Sequence, residues 1–219
     1  MLNFQPITLG IKELVESYTF KYGEGSCRHS FVSSYTLKHK YGDMFCEHEG
    51  FLYTLRSKLC TENERAYFFP FGSRDDESAL RRSLQNILDD AHSHNCRAKF
   101  QTATESAKDI ITSLFPGKFT VYFNRDYSEY VCNIEALYIL KGHGRAVKRK
   151  GLHKFLRVYE GRCETLPIAE KHIDMIRDFQ NNLLDERLSV IEDHAHKMQL
   201  EGDSECIHYA LDDFFTLGM

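Results

Sequence analysis

The 219-residue sequence has no tryptophan, only four prolines and no apolar run near the roughly 20 residues that cross a bilayer. Its N-terminus, Met1-Leu2-Asn3-Phe4-Gln5-Pro6, has no charged start followed by an apolar block, so we expect no signal peptide. Seven cysteines, an odd number, include no Cys-x-x-Cys pair, which predicts free thiols in a reducing compartment. These absences together predict a cytoplasmic protein without a transmembrane segment.

A positive net charge is also missing, because the formal charge is −4. This argues against a protein that coats nucleic acid. The basic residues are nevertheless clustered, with seven Lys or Arg and no acidic residue between Lys141 and Arg157. An acidic segment follows from Glu164 to Asp213. A basic cluster in an acidic chain indicates one anion-binding spot.

What is present is a globular composition, with 42% hydrophobic and 27% charged residues. Hydrophobic periodicity predicts the order strand, two helices, three strands, helix, strand, helix, strand, and this order indicates a mixed α/β layered domain. Glu49-Gly50 is the expected turn of an antiparallel hairpin. The predicted strands are 3–7, 44–48, 51–56, 66–70, 97–101 and 119–123, and the predicted helices follow Thr8 or span 30–39, 73–91 and 104–114.

The end of the chain repeats its beginning at an offset of 161 residues. Phe4-Gln5-Pro6-Ile7 and the helical stripe of Leu14, Val15 and Tyr18 recur as Thr165-Leu166-Pro167-Ile168 and the stripe of Met175, Ile176 and Phe179. The repeat predicts one complete domain at 1–124, then a linker, a basic helix and an incomplete second domain at 125–219. The uncovered stripe of the second domain predicts packing onto the first domain or self-association.

Several stretches resemble the bacterial lysyl-phosphatidylglycerol synthase C-terminal-like family. The more specific ones are Leu114-Phe115-Pro116-Gly117-Lys118-Phe119 and Arg125-Asp126-Tyr127-x-x-Tyr130. The others are Asn3-Phe4-x-Pro6-Ile7, Ser26-Cys27-x-x-Ser30-Phe31, Lys38-His39-x-Tyr41-Gly42, Phe51-Leu52 and Phe69-Pro70-x-Gly72. The resemblance covers nearly the whole chain.

The resemblance implies tandem GNAT-like (acyl-CoA N-acyltransferase-like) domains, here one complete copy and the first elements of a second. It implies a transferase that moves an acyl or aminoacyl group from acyl-CoA or aminoacyl-tRNA to an amine- or hydroxyl-bearing acceptor. Two departures from the family lower the expectation of activity. Lys148-Arg149-Lys150 stands where the family has Lys-Arg-Asn, and the second domain is short. A non-catalytic binding module on the same scaffold is the alternative.

No cofactor is evident in the residues themselves. The Arg/Gln-x-x-Gly-x-Gly/Ala loop that binds coenzyme A pyrophosphate has no match, because Ile139 precedes Gly142-His143-Gly144 and Phe20 precedes Gly23-Glu24-Gly25. The His and Cys residues at 46–48 and 92–96 lack zinc-finger spacing, so no metal site is predicted.

The best candidate anion site is Arg145, Lys148 and Arg149. These cations share a helical stripe with Leu152, Phe155, Leu156 and Tyr159, and an apolar stripe is expected to face the protein. The three cations would then converge on a phosphate of tRNA, a lipid headgroup or coenzyme A. Alternatively, they pair with acidic residues such as Glu135 or Asp126, or extend to solvent.

A second candidate comprises Asp126, Tyr127 and Tyr130, which lie between the two predicted domains. In a functional interpretation, Asp126 orients an acceptor amine and the two tyrosines line a cleft. In the structural alternative, Asp126 caps a turn and pairs with Arg125. The catalytic residues cannot be assigned from the sequence.

Overall fold

The computed structural model describes residues 2–125 and 128–219, apart from the side chain of His143. Its contacts divide the chain into two units. Unit 1 comprises Met1–Val121 and Asp174–Met219, and unit 2 comprises Tyr122–Ile173. This division differs from the predicted boundary at 124, because the last 46 residues belong with the first unit rather than with the linker and basic helix.

A five-stranded sheet forms the centre of unit 1, and it confirms the predicted mixed α/β class. Its strands lie in sequence order, and all neighbours are antiparallel except the parallel pair β4 and β5. Glu49 and Gly50 have φ values of 49° and 75°, as a tight hairpin turn requires. The strands are β1 (Gln5–Pro6), β2 (Asp43–His48), β3 (Phe51–Arg56), β4 (Glu64–Tyr67) and β5 (Arg97–Phe100).

Four α-helices connect these strands, and a fifth follows β5. They are α1 (Lys12–Tyr22), α2 (Phe31–Thr36), α3 (Lys38–Tyr41), α4 (Glu77–Ser93) and α5 (Glu105–Leu114). Side chains of Ser30, Asp76 and Thr104 accept backbone N–H bonds at the starts of α2, α4 and α5. Thr8 instead precedes a short 3-10 helix and makes no such bond. Asn95, which follows α4, has a φ of 56°, the left-handed conformation that commonly ends a helix.

The core has two parts, because successive side chains of the buried strand β3 point to opposite faces of the sheet. Tyr53 and Leu55 join a cluster with Leu84 and Ile87 of α4. Leu52 joins a second cluster with Val15 of α1. The sheet is therefore covered on one face by α4 and α5 and on the other by α1 and α2.

The C-terminal helices α8 (Glu170–Val190), α9 (His194–Asp212) and α10 (Phe214–Leu217) complete the chain. Leu217 is buried in the second cluster, and Lys12 Nζ donates to its carbonyl oxygen at 3.0 Å. The phenol of Tyr35 donates to Asp213 at 2.7 Å, and the Tyr209 ring stacks 3.9 Å from that of His39. These contacts explain why residues 174–219 belong to unit 1.

Unit 2 contains α6 (Ile134–Ile139) and α7 (Ala146–Tyr159). No residue of its described part is buried. The predicted strand 119–123 is wrong, and residues 165–168, which repeat residues 4–7 in sequence, form no strand either, since neither described segment pairs with a strand. Phe119 packs 5.6 Å from the Phe100 ring, whereas Tyr122 and Phe123 are each 86% exposed. Across the described chain, no helix has both the length and the apolar content needed to cross a membrane.

Candidate functional site

Polar residues gather where the parallel strands β4 and β5 end. Ligands of α/β sheets commonly bind at the carboxyl ends of such strands. Past the end of β5, Thr102 has a φ of 49°, a left-handed conformation that is unusual for a β-branched residue. Its buried hydroxyl has no hydrogen-bond partner within the described residues. An orphaned hydroxyl in a strained loop marks this strand end as a candidate site.

An ion pair crosses this strand end between Arg74, in the loop before α4, and Glu24, after α1. Arg74 also donates to the Ser106 hydroxyl at 2.9 Å, and its guanidinium lies 5.0 Å from the Phe69 ring centre. Burial would raise the pKa of Glu24, but hydrogen bonds from Thr104, Arg74 and Ser106 and the charge of Arg74 lower it overall. Glu24 is therefore an anion at neutral pH.

His29 lies beside this ion pair in the turn before α2. Its Nδ1 is 3.1 Å from the Gly23 carbonyl oxygen, which can only accept, so this nitrogen carries a proton. The ring packs edge-on against Phe68 and Phe71, with centroids 5.1 and 5.2 Å apart. The Gly23 carbonyl and the rings of Phe68 and Phe71 thus help to hold the imidazole in one orientation.

The space enclosed by these residues is small, at about 10 Å³. That is room for about one water molecule. Arg74 and Glu24 both line it, together with Thr102 and Thr104. A ligand larger than water would have to open the Arg74–Glu24 pair. We name Glu24, His29, Arg74, Thr102, Thr104 and Ser106 the strand-end cluster.

The N-terminus of α4 follows the same loop. A free helix N-terminus would suit a phosphate, because its first N–H groups have no helical partner. Here Asp76 accepts from the amides of Ser78 at 2.9 Å and Ala79 at 3.0 Å. The Ser78 hydroxyl and these amides lower the pKa of Asp76, so its carboxylate is charged. A negative side chain therefore occupies the amides to which a phosphate could otherwise bind.

The predicted anion-site residues lie in unit 2 at the turn between α6 and α7. Arg149 donates to the carbonyl oxygens of Leu140 and, at 2.9 Å, Gly142. Arg145 donates to the carbonyl oxygen of Lys141 at 3.3 Å, and Lys148 is exposed. The two arginines thus hold carbonyl groups of the preceding turn rather than form an open cationic pocket.

The apolar side chains of α7 that share a helical stripe with these cations are exposed. Phe155 and Leu156 are 48% and 55% exposed, and no residue of α7 is buried. The prediction that this stripe faces the protein interior is therefore wrong for the described chain. Of the second predicted set, Tyr130 is 96% exposed, while Asp126 and Tyr127 lie outside the described residues.

The sequence prediction missed the strand-end cluster, because its members come from three separate segments. Of its residues, only Thr104 has a role that the sequence predicts, as the start of a helix. In the sequence, Gly23-Glu24-Gly25 has the spaced glycines of a coenzyme A loop and nothing that indicates a partner for Glu24. No group of three or more His, Cys, Asp or Glu within the described part of the chain could hold a metal ion.

Comparisons with known proteins bear on the fold. No protein-family model matches the chain, and no curated protein matches it either. A crystal structure from Bacteroides thetaiotaomicron, described as a conserved protein of unknown function, matches with a TM-score of 0.86 and 22% identity. The match covers 100% of this chain and 69% of that one. The likeness shows the fold alone.

Proposed function

We propose that unit 1 has a GNAT-like scaffold and that the chain is an acyl- or aminoacyl-transferase-like protein that does not use coenzyme A. The element order supports the scaffold: a strand, helices, three antiparallel strands, α4, a strand parallel to β4, and α5. The Asp76 carboxylate at the start of α4 supports the proposal that the protein does not use coenzyme A. It occupies the amides that a pyrophosphate would need, and its charge repels one.

The strand-end cluster is the proposed ligand site. Glu24 offers a carboxylate to an amine, and Arg74 offers a guanidinium to a carboxylate or an ester oxygen. Because both charges lie side by side, the site suits the amino end of an amino acid or aminoacyl group better than a simple anion. Such a ligand would exchange the internal ion pair for an external one between its amine and Glu24, and its carboxylate or ester oxygen would accept a hydrogen bond from Arg74.

A non-catalytic binding module on the same scaffold is the second candidate function. The small space within the cluster favours this second function, because about 10 Å³ is too little for two substrates that react with each other. The two candidates share a binding site and differ in turnover.

Calorimetric titration with lysine amide, free lysine and coenzyme A tests the proposal. We expect lysine amide and lysine to bind the wild type and coenzyme A not to bind. Glu24→Gln should weaken the binding of lysine amide by about tenfold, since it removes one charge-assisted contact. Glu13→Gln, an exposed change in the first turn of α1, is the matched control and should leave binding unchanged.

Lysyl-tRNA incubated with the protein and an amine acceptor then distinguishes the two functions. Transfer of the lysyl group that Glu24→Gln abolishes indicates a transferase, and binding without transfer indicates the module. Coenzyme A binding that survives in Glu24→Gln, with no amine binding, would overturn the proposal.

A further inference from the structure

A surface groove lies between α4 and the turn after α5 in unit 1. Its volume is about 420 Å³, within the range of about 300–1,000 Å³ that is typical of small-molecule sites. Neither the strand-end cluster nor the predicted anion sites contribute to it. Its lining residues are Arg81, Arg82, Gln85, Leu114, Phe115, Pro116 and Lys118.

The turn after α5 fixes one wall of this groove. The Phe115 amide still bonds to the Ile111 carbonyl, and the Lys118 amide bonds back to the Phe115 carbonyl at 3.2 Å. Gly117 between them has a φ of 73°, which glycine adopts without strain. Phe119 then packs edge-on against Phe115, with centroids 6.3 Å apart. The backbone that carries Lys118 is thereby held beside α4.

Three cations surround the groove. Arg81 donates to the Leu114 carbonyl at 2.7 Å and is 3.9 Å from Glu77, whose side chain is 78% exposed. Neither Arg82 nor Lys118 forms an ion pair with any described residue. An exposed carboxylate at that distance offsets little of the charge. The groove therefore carries excess positive charge in a chain whose net charge is −4.

The floor of the groove is apolar. Leu114 and Phe115 are each 6% exposed, and Pro116 lies beside them. The Arg81 guanidinium and the Lys118 ammonium lie 5.6 and 5.5 Å from the centre of the Phe115 ring, so the ring and the charges are adjacent. A free phosphate would use the cations and leave Pro116, which is exposed beside this floor, without an apolar contact.

We propose that this groove binds an amphiphilic anion, a phosphate or carboxylate attached to an apolar chain. The charged group contacts Arg82 and Lys118, and the chain lies over Phe115 and Pro116. Such a ligand comes either from solution, as an alkyl phosphate or fatty acid, or from the surface of an anionic bilayer. The two sources share this chemistry, and a titration with vesicles distinguishes them.

Titration of the whole protein with monomeric decyl phosphate, followed by calorimetry and by amide chemical shifts, tests the proposal. We expect saturable binding with shifts confined to residues 81–85 and 114–118. Inorganic phosphate and decanol should each bind at least about tenfold more weakly, because each keeps only half of the contacts. Vesicles of anionic phospholipid should produce the same shifts if a bilayer is the source, and none if the ligand is soluble.

Arg82→Gln combined with Lys118→Gln should weaken decyl phosphate binding by about tenfold or more. Lys118→Gln alone, an exposed change, should give an intermediate loss and protects the test against misfolding of the double variant. Arg97→Gln is the matched control, since Arg97 is an exposed cation of the same unit, and it should bind as the wild type does. Absence of wild-type binding at millimolar ligand, or an equal loss in Arg97→Gln, would overturn the proposal.

Discussion

Units 1 and 2 each contain a helix with an apolar stripe, but only the stripe in unit 1 is buried. In unit 1, the stripe of α4 buries Leu80, Leu84 and Ile87 against the sheet. In unit 2, the stripe of α7 leaves Phe155 and Tyr159 48% and 42% exposed. Both stretches form helices. Periodicity therefore specifies a helix and its apolar face, while burial requires a second surface that periodicity does not supply.

The two units also differ in the range of the contacts that hold them. Unit 1 is joined by contacts between distant segments, such as the Lys40–Asp203 ion pair at 2.9 Å. Unit 2 is held by local bonds, such as the cap of α6, where Asn133 accepts from the Ala136 amide at 2.9 Å. Local bonds alone hold short helices weakly, so unit 2 is expected to open at a lower free energy than unit 1.

The largest effect is expected at the buried ion pair of unit 1. Arg56 Nε donates to Asp43 at 3.1 Å, and the guanidinium lies 3.7 Å from the Tyr41 ring centre. Burial raises the pKa of Asp43 even beside this cation, so the carboxylate depends on its partner. Arg56→Ala should lower the free energy of unfolding by about 3–5 kcal/mol, measured by urea denaturation.

Arg97→Ala is the control for Arg56→Ala, because Arg97 pairs with Glu64 on the surface and is 80% exposed. It should cost less than about 1 kcal/mol. Equal losses of unfolding free energy from the two changes would show that burial of the Asp43–Arg56 pair does not contribute to stability.

A paired truncation compares the two units directly. Ile87 is fully buried beneath the sheet, so Ile87→Ala should cost about 2–4 kcal/mol through lost burial and the cavity left behind. Phe155→Ala removes a larger side chain that is already half exposed and should cost less than about 1 kcal/mol. Urea denaturation followed by circular dichroism gives both values. A larger loss for Phe155→Ala would reveal a surface that covers α7 in solution.

Much of unit 1 could be predicted because its signals are local. The hairpin follows from Glu49-Gly50, and the starts of α2 and α5 follow from Ser30 and Thr104, whose side chains cap them. The predicted strand at 119–123 failed because an apolar run cannot show whether a neighbouring strand is available. Residues 165–168 form no strand for the same reason. Their match to residues 4–7 does not show whether a neighbouring strand can form hydrogen bonds with their backbone.

The candidate sites were less predictable than the fold. The sequence prediction relied on the density of charge near Arg149, and the structure uses that arginine for backbone carbonyls. Glu24 and Arg74 are 50 residues apart and meet only because β4 and β5 end together. Long-range pairs of this kind require the sheet topology before they can be recognised.

The stability of unit 1 should depend on pH through Glu24 of the strand-end cluster. The pKa of Glu24 is lower in the folded protein than in the unfolded chain, so its contribution is present above the unfolded pKa and lost as pH falls through the folded pKa. Stability measured from pH 6 to pH 3 should therefore fall less steeply in Glu24→Gln. The difference should stay under about 1 kcal/mol, since the side chain is partly solvated. Glu13→Gln should retain the wild-type slope, and a parallel change in both variants would contradict this assignment.

The smallest effect is expected from Arg149→Ala in unit 2. The guanidinium holds the Leu140 and Gly142 carbonyls at the turn before α7, so its loss should speed hydrogen exchange of amides near 140–150 by about threefold to tenfold. The global free energy of unfolding should change by less than about 0.5 kcal/mol, because no core residue depends on that turn. Lys154→Ala, an exposed cation on the same helix, is the control and should leave exchange unchanged. If Arg149→Ala instead left exchange unchanged and weakened the binding of a phosphate ligand, Arg149 would belong to the anion site that the sequence predicts.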